Sequence, residues 1–114
     1  ERANEIMKDA REKADQIRAE AKKQADKLRE QGKKAGQRIR EEAAKKAQDL
    51  IDQASNPLAK VGAKKAAEKI NEEADKKAQQ TEQEANKRAQ QIEDEADKRA
   101  QQVIDKAQQQ VDEL

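Results

Sequence analysis

QASNPLAKVG, residues 53–62, is the stretch where helix-breaking residues gather, and it divides two long stretches of similar length and composition. Read as a turn, it folds the chain back on itself as an antiparallel hairpin. Read as a kink, it bends one very long helix. The pattern on either side decides between these.

Before Pro57 the larger apolar residues are Ile6, Ile17, Leu28, Ile39 and Leu50, each eleven residues after the last. Four and eight residues further on stand small ones: Ala10 and Ala14, Ala21 and Ala25, Gly32 and Gly36, Ala43 and Ala47, then Ala54, with Leu58 at the last position. After the break the pattern resumes with Ile70, Thr81, Ile92 and Val103, again followed by small residues, and ends on Leu114. EADKKAQQ (73–80), EANKRAQQ (84–91) and EADKRAQQ (95–102) are near copies, so the repeat is internal. Eleven residues make three turns of about 3.67, which predicts helices whose apolar stripe drifts by only about 20° per repeat and winds straight or slightly right-handed. The rest of the sequence is mostly Ala, Lys, Arg, Glu and Gln, all good helix formers. Glu41–Lys45, Glu73–Lys77, Glu84–Arg88 and Glu95–Arg99 are spaced four apart for local ion pairing.

A helix continued straight through Pro57 carries the stripe from Leu50 to Ile70 through about 200°, onto its opposite face, where a regular repeat gives about 40°. A turn resets the phase without cost to the seam. Local chemistry agrees. Pro57 lacks an N–H and disfavours helical geometry at Asn56, and Ser55 or Asn56 can cap a new helix with proline at its first position. The prediction is an all-α, long two-helix antiparallel hairpin, an alanine-rich hendecad coiled coil. Helix 1 is placed at about 2–54, the turn at Ser55, Asn56 and Pro57, and helix 2 at about 58–113, as a single domain over 1–114.

A tight turn sets Leu50 beside Ala63, Ala43 beside Ile70, Ile39 beside Ala74, Leu28 beside Ala85, Ala21 beside Ile92, Ile17 beside Ala96 and Ala10 beside Val103. Large then meets small at each level, as close packing of alanine-rich helices requires. A wider loop running through Gly62 sets large beside large instead; the tight register is preferred. Alanine methyls bury little area at about 25 cal/mol per Å², so the pair alone is expected to be marginal and to self-associate, with a dimer favoured and a four-helix bundle as one outcome. Met7 and Ile104 at one end and Ile51 and Val61 near the turn are candidate oligomer contacts.

The chain of 114 residues is 45% charged and 32% hydrophobic, with no aromatic residue, histidine or cysteine and a net charge of +1. The small net charge gives no electrostatic argument for nucleic acid or an anionic membrane, and without aromatic stacking residues the basic run Lys22 to Lys46 is not read as a nucleic-acid groove. No apolar run approaches the roughly 20 residues needed to span a bilayer. GKKAG, 32–36, has the letters of a phosphate loop but not the G-x-x-x-x-G-K-[ST] order, and its glycines fall on the small positions of the repeat. They are read as a close helix crossing near Thr81 and Ala78. Glu93, Asp94, Glu95 and Asp97 point in different directions on a helix and lack a calcium-type loop. Neither a metal nor a cofactor is expected. Lacking histidine, cysteine and any enclosed pocket, the chain is not expected to be an enzyme. It starts at Glu1 and not at methionine, which leaves the compartment open, with a lean toward export behind an upstream leader.

EIMKDAREKADQIRAEAKKQADKL, 5–28, with alanine at the small positions and isoleucine or leucine every eleven residues, resembles the hendecad portions of bacterial ATP synthase b-type peripheral stalks. The likeness covers helix 1 well and helix 2 loosely, and implies a structural, parallel dimeric role. It departs from that pattern at Asn56-Pro57 and in lacking a membrane span. Late-embryogenesis-abundant proteins and apolipoproteins show a similar eleven-residue pattern. The expectation is therefore a non-enzymatic spacer or scaffold that self-associates, with an unidentified protein as a further partner. The alternatives are an amphipathic lipid- or stress-protective helical protein, or a parallel stalk-like dimer.

Overall fold

In the computed structural model, which describes all 114 residues, the chain forms two helices, α1 (Arg2–Gln53) and α2 (Pro57–Asp112), and no strand. They pack against each other as an all-α helical hairpin. The packing resolves into two compact units, one of Glu1–Leu28 with Asn86–Leu114 and one of Arg29–Ala85, called here the first and second units.

Both helices are supported along their exposed surfaces by a repeated side-chain link. Gln48 donates to Asp52 at 2.9 Å, Gln90 to Asp94 at 3.0 Å, Gln101 to Asp105 at 3.0 Å and Gln108 to Asp112 at 2.9 Å. Each joins residues four apart and so adjacent turns, a contact that contributes about 0.2–0.5 kcal/mol.

Three residues, Ala54 to Asn56, separate the helices. α1 closes with a tightened last turn, in which the Ala54 N–H donates to the Ile51 carbonyl at 3.2 Å. Asn56 then caps α2: its Oδ1 accepts from the Ala59 N–H at 2.8 Å and its carbonyl from the Lys60 N–H at 3.0 Å. The cap is Asn56, and Ser55 is exposed ahead of it. The helix limits each fall one residue earlier at the turn than the sequence reading placed them. Pro57 belongs to α2, because a fixed φ and a missing N–H suit the first helical position. No residue of the turn has a positive φ, so the reversal needs no glycine.

The buried residues are small without exception. In the first unit they are Ala10, Ala14, Ala21 and Ala25 of α1 with Ala89, Ala96, Ala100 and Ala107 of α2. In the second they are Gly32, Gly36, Ala43 and Ala47 with Ala67, Ala74 and Ala78. Along α1 the intervals alternate between four and seven residues, and α2 keeps the same alternation once half-buried Ala63, Ala85 and Val111 are included. No large side chain is fully buried. Ile6, Ile17, Leu28, Ile39, Ile70, Thr81, Ile92 and Val103 are half-buried, and Leu50 is 38% exposed. The seam therefore has alanine and glycine on its axis, with the branched residues beside it. Backbones that approach on methyl groups leave no room between them for a larger side chain, which must lie along the flank.

Candidate interaction surface

On each helix the large apolar residue is one edge of the buried stripe. At about 98° per residue in an eleven-residue repeat, the residue immediately after it falls beyond the small pair, on the other edge. On α1 that following residue is Met7, Arg18, Arg29, Arg40 and Ile51; on α2 it is Asn71, Glu82, Glu93 and Ile104. All but exposed Asn71 are half-buried. Each unit thus has one mostly apolar flank and one that carries charge, with Arg18 and Glu93 beside Met7 and Ile104 in the first unit and Arg29, Arg40 and Glu82 beside Ile51 in the second.

The charged flanks are joined by ion pairs. In the first unit Arg18 Nε donates to Asp97 Oδ1 at 3.3 Å. In the second, Arg40 bridges two acids of α2, with Nε to Asp75 Oδ1 at 2.9 Å and Nη1 to Glu82 Oε1 at 2.8 Å. These bonds hold the Arg40 guanidinium above its ordinary pKa, the one to Asp75 foremost and that to Glu82 next. Exposed pairs contribute little to stability.

The two buried glycines serve different neighbours. Gly32 lies directly against Ala85: a Cβ added there would overlap the Ala85 methyl, with the Thr81 carbonyl oxygen at 3.7 Å and the Ala85 Cα at 3.8 Å. Here the helices meet small residue on small residue. Gly36 faces a side chain instead. The Glu82 carboxylate occupies the space a Cβ would need, with its Cγ and Cδ at 3.1 Å from that position. The notch at Gly36 lets Glu82 lie across α1 and reach Arg40, one turn further on. The close crossing expected near Thr81 and Ala78 is thus at Thr81 and Ala85 for Gly32, and at Glu82 for Gly36. Thr81 itself turns its hydroxyl back to donate to the Lys77 carbonyl at 2.9 Å.

The apolar flanks are open grooves. In the first unit Ile6 and Ala10 with Val103 and Ala107 line one, and Ile17 and Ala21 with Ile92 and Ala96 line the next. In the second unit Ile39 and Ala43 with Ile70 and Ala74 line a third. Large and small residues of both helices share each groove: Ile17 and Ala21 with Ile92 and Ala96, Ile6 and Ala10 with Val103 and Ala107, and Ile39 and Ala43 with Ile70 and Ala74. Their floors are alanine and their walls are isoleucine or valine.

The chain matches no family model, no curated protein and no solved structure. Its function must be read from these surfaces. No group of three or more carboxylates is placed to hold a metal ion, and no helix is long and apolar enough to cross a membrane. Of the candidate oligomer contacts, Met7, Ile51 and Ile104 stand half-buried in the rows that elsewhere carry Arg or Glu. Val61 is 56% exposed and Leu58 84%; both lie on the side of α2 turned away from the buried stripe, out of phase with the repeat.

The arginine row escaped the sequence reading, although its signal is plain in QIRAE, KLREQ and RIREE, where Arg follows the apolar residue at eleven-residue intervals. Spacing four apart marks charge pairs within a helix, whereas Arg18 and Arg40 pair across to the other helix.

Proposed function

We propose that this chain is a non-enzymatic structural protein, an alanine-rich antiparallel coiled coil that self-associates and acts as a spacer or scaffold. One observation supports the reading above the others: every fully buried side chain is alanine, while the branched residues that bring most apolar area are left half-exposed beside the seam. Burial is worth about 25 cal/mol per Å², so a seam of methyl groups uses only part of the apolar surface this sequence carries. Association covers the remainder. A scaffold also accounts for grooves that lie open along the flank, since catalytic and small-molecule sites place their polar groups in an enclosed pocket.

Sedimentation equilibrium combined with circular dichroism tests this. Strong helicity in plain buffer together with a concentration-dependent rise in mass and in melting temperature is the expected result. A monomer that gains helicity only with vesicles or on drying would refute it in favour of a lipid- or stress-protective protein.

A further inference from the structure

The self-association proposed above does not specify which surface meets the second copy; the inference drawn here rests on that reading and names the surface. In the first unit the two flanks are chemically unlike. One carries Arg18 and Glu93, with Arg18 bridged to Asp97 at 3.3 Å, beside half-buried Met7 and Ile104. The other holds two alanine-floored grooves placed eleven residues apart on both helices, one between Ile6 and Val103 and one between Ile17 and Ile92.

The rims of these grooves select among occupants. Around the Ile17–Ile92 groove stand Lys13, Glu20, Glu95 and Arg99, two bases and two acids. Around its neighbour stand Asp9, Glu12, Lys13 and Lys106, again balanced. An anionic bilayer or a nucleic acid attracts a rim of one sign, and an acidic or basic peptide likewise. A balanced rim calls for a partner that also alternates acid and base, and grooves that recur every eleven residues call for apolar side chains that recur at that interval. The same flank of another copy has both properties. Its Ile17 and Ile92 are half-exposed knobs, and its Glu20 and Arg99 offer the complementary charges.

We propose that the apolar flank of the first unit is the face on which a second copy of this chain docks, flank to flank about a two-fold axis, with the Ile and Val side chains of each copy seated over the alanine floors of the other and the mixed charges of Lys13, Glu20, Glu95 and Arg99 paired around them. The contact is isologous, so it closes at two copies, and its packing is of the knobs-into-holes kind.

The full chain has no cysteine, so a single nitroxide label reports cleanly. Gln16, which lines both grooves, and Lys22, one turn beyond Arg18 toward the charged flank, are changed separately to cysteine and labelled. Raising the concentration through the association range immobilises the label at 16 and leaves the label at 22 mobile. Ile17→Lys, checked for retained helicity, weakens association by about 30-fold or more, as loss of an interface anchor does, whereas Arg18→Gln leaves the dimer intact. Immobilisation at 22 with mobility at 16 overturns the proposed face while self-association stands. A monomer at every concentration overturns both. If Ile17→Lys fails to fold, the two labels still decide the matter.

Discussion

Substituting alanine for Gly32 adds one methyl group where the Ala85 methyl already stands, with the Thr81 carbonyl oxygen 3.7 Å away. Neither neighbour can yield by turning a torsion, because one is a Cβ fixed to its backbone and the other is backbone itself. The helices must separate locally, an overpacking cost of about 1–3 kcal/mol. Alanine recovers about 1 kcal/mol of helix propensity, so the net effect is a destabilisation of up to about 2 kcal/mol. At Gly36 the same methyl meets only the Glu82 side chain, which swings aside and gives up its bond to Arg40. The propensity gain then dominates, and Gly36→Ala is neutral or stabilising by up to about 1 kcal/mol. Thermal unfolding followed by circular dichroism, at one protein concentration, should set the two variants apart, by about 4–8 °C for each 1 kcal/mol between them, with Gly32→Ala the lower. The double variant Gly32→Ala with Ala85→Gly restores the space and recovers part of the loss beyond additivity. Should Gly32→Ala melt as high as Gly36→Ala, the close approach at Ala85 is not a feature of the folded protein.

Asn56→Ala removes the side-chain acceptor of the Ala59 N–H and should cost about 1 kcal/mol, read as a lower denaturant midpoint with an unchanged slope. Ala25→Leu, at a seam position with no exposed surface, should destabilise by about 1–3 kcal/mol or force the helices apart; an unchanged melting temperature would contradict the small-residue axis. Arg40→Gln breaks the pairs with Asp75 and Glu82 and should lower the melting temperature slightly at low salt, a difference that vanishes near 1 M salt, where screening is nearly complete at about 3 Å. The Arg40 pKa is raised on folding, so whatever its charge contributes is fully present below the ordinary arginine pKa and is lost only as pH climbs past the raised value. The Arg40→Gln difference should show no step from arginine titration between neutral pH and about pH 10. Val61→Lys, on a side chain 56% exposed, should leave monomer stability within about 0.5 kcal/mol.

The hairpin was legible in the sequence because two independent signals met at one place. Asn56-Pro57 can end a helix by backbone chemistry alone, and the stripe from Leu50 to Ile70 cannot stay on one face unless the chain turns there. The eleven-residue period likewise marked which residues share a face. It could not tell how deep each would lie. Periodicity gives an angle around a helix, whereas depth depends on how closely the partner approaches, and that distance is set by Ala10, Ala14, Gly32 and their counterparts acting together. Thus Ile17 and Ile39, prominent in the pattern, lie beside the axis, and the alanines behind them lie on it. The glycines show the same limit more sharply. Gly32 and Gly36 are equivalent small positions of one repeat, yet one meets a methyl and the other a carboxylate. Only the register of α2 beyond the turn distinguishes Ala85 from Glu82. The Arg18, Arg29 and Arg40 spacing was readable as a pattern, but its meaning required knowing that acidic residues of α2 would stand opposite.

A seam lined by methyl groups also shapes how the protein responds to heat. The heat capacity of unfolding grows with the apolar surface exposed, and an interface whose only fully buried side chains are alanine exposes little. Its stability curve should therefore be shallow, with the free energy of unfolding bending little over a wide span of temperature and cold denaturation displaced far below freezing.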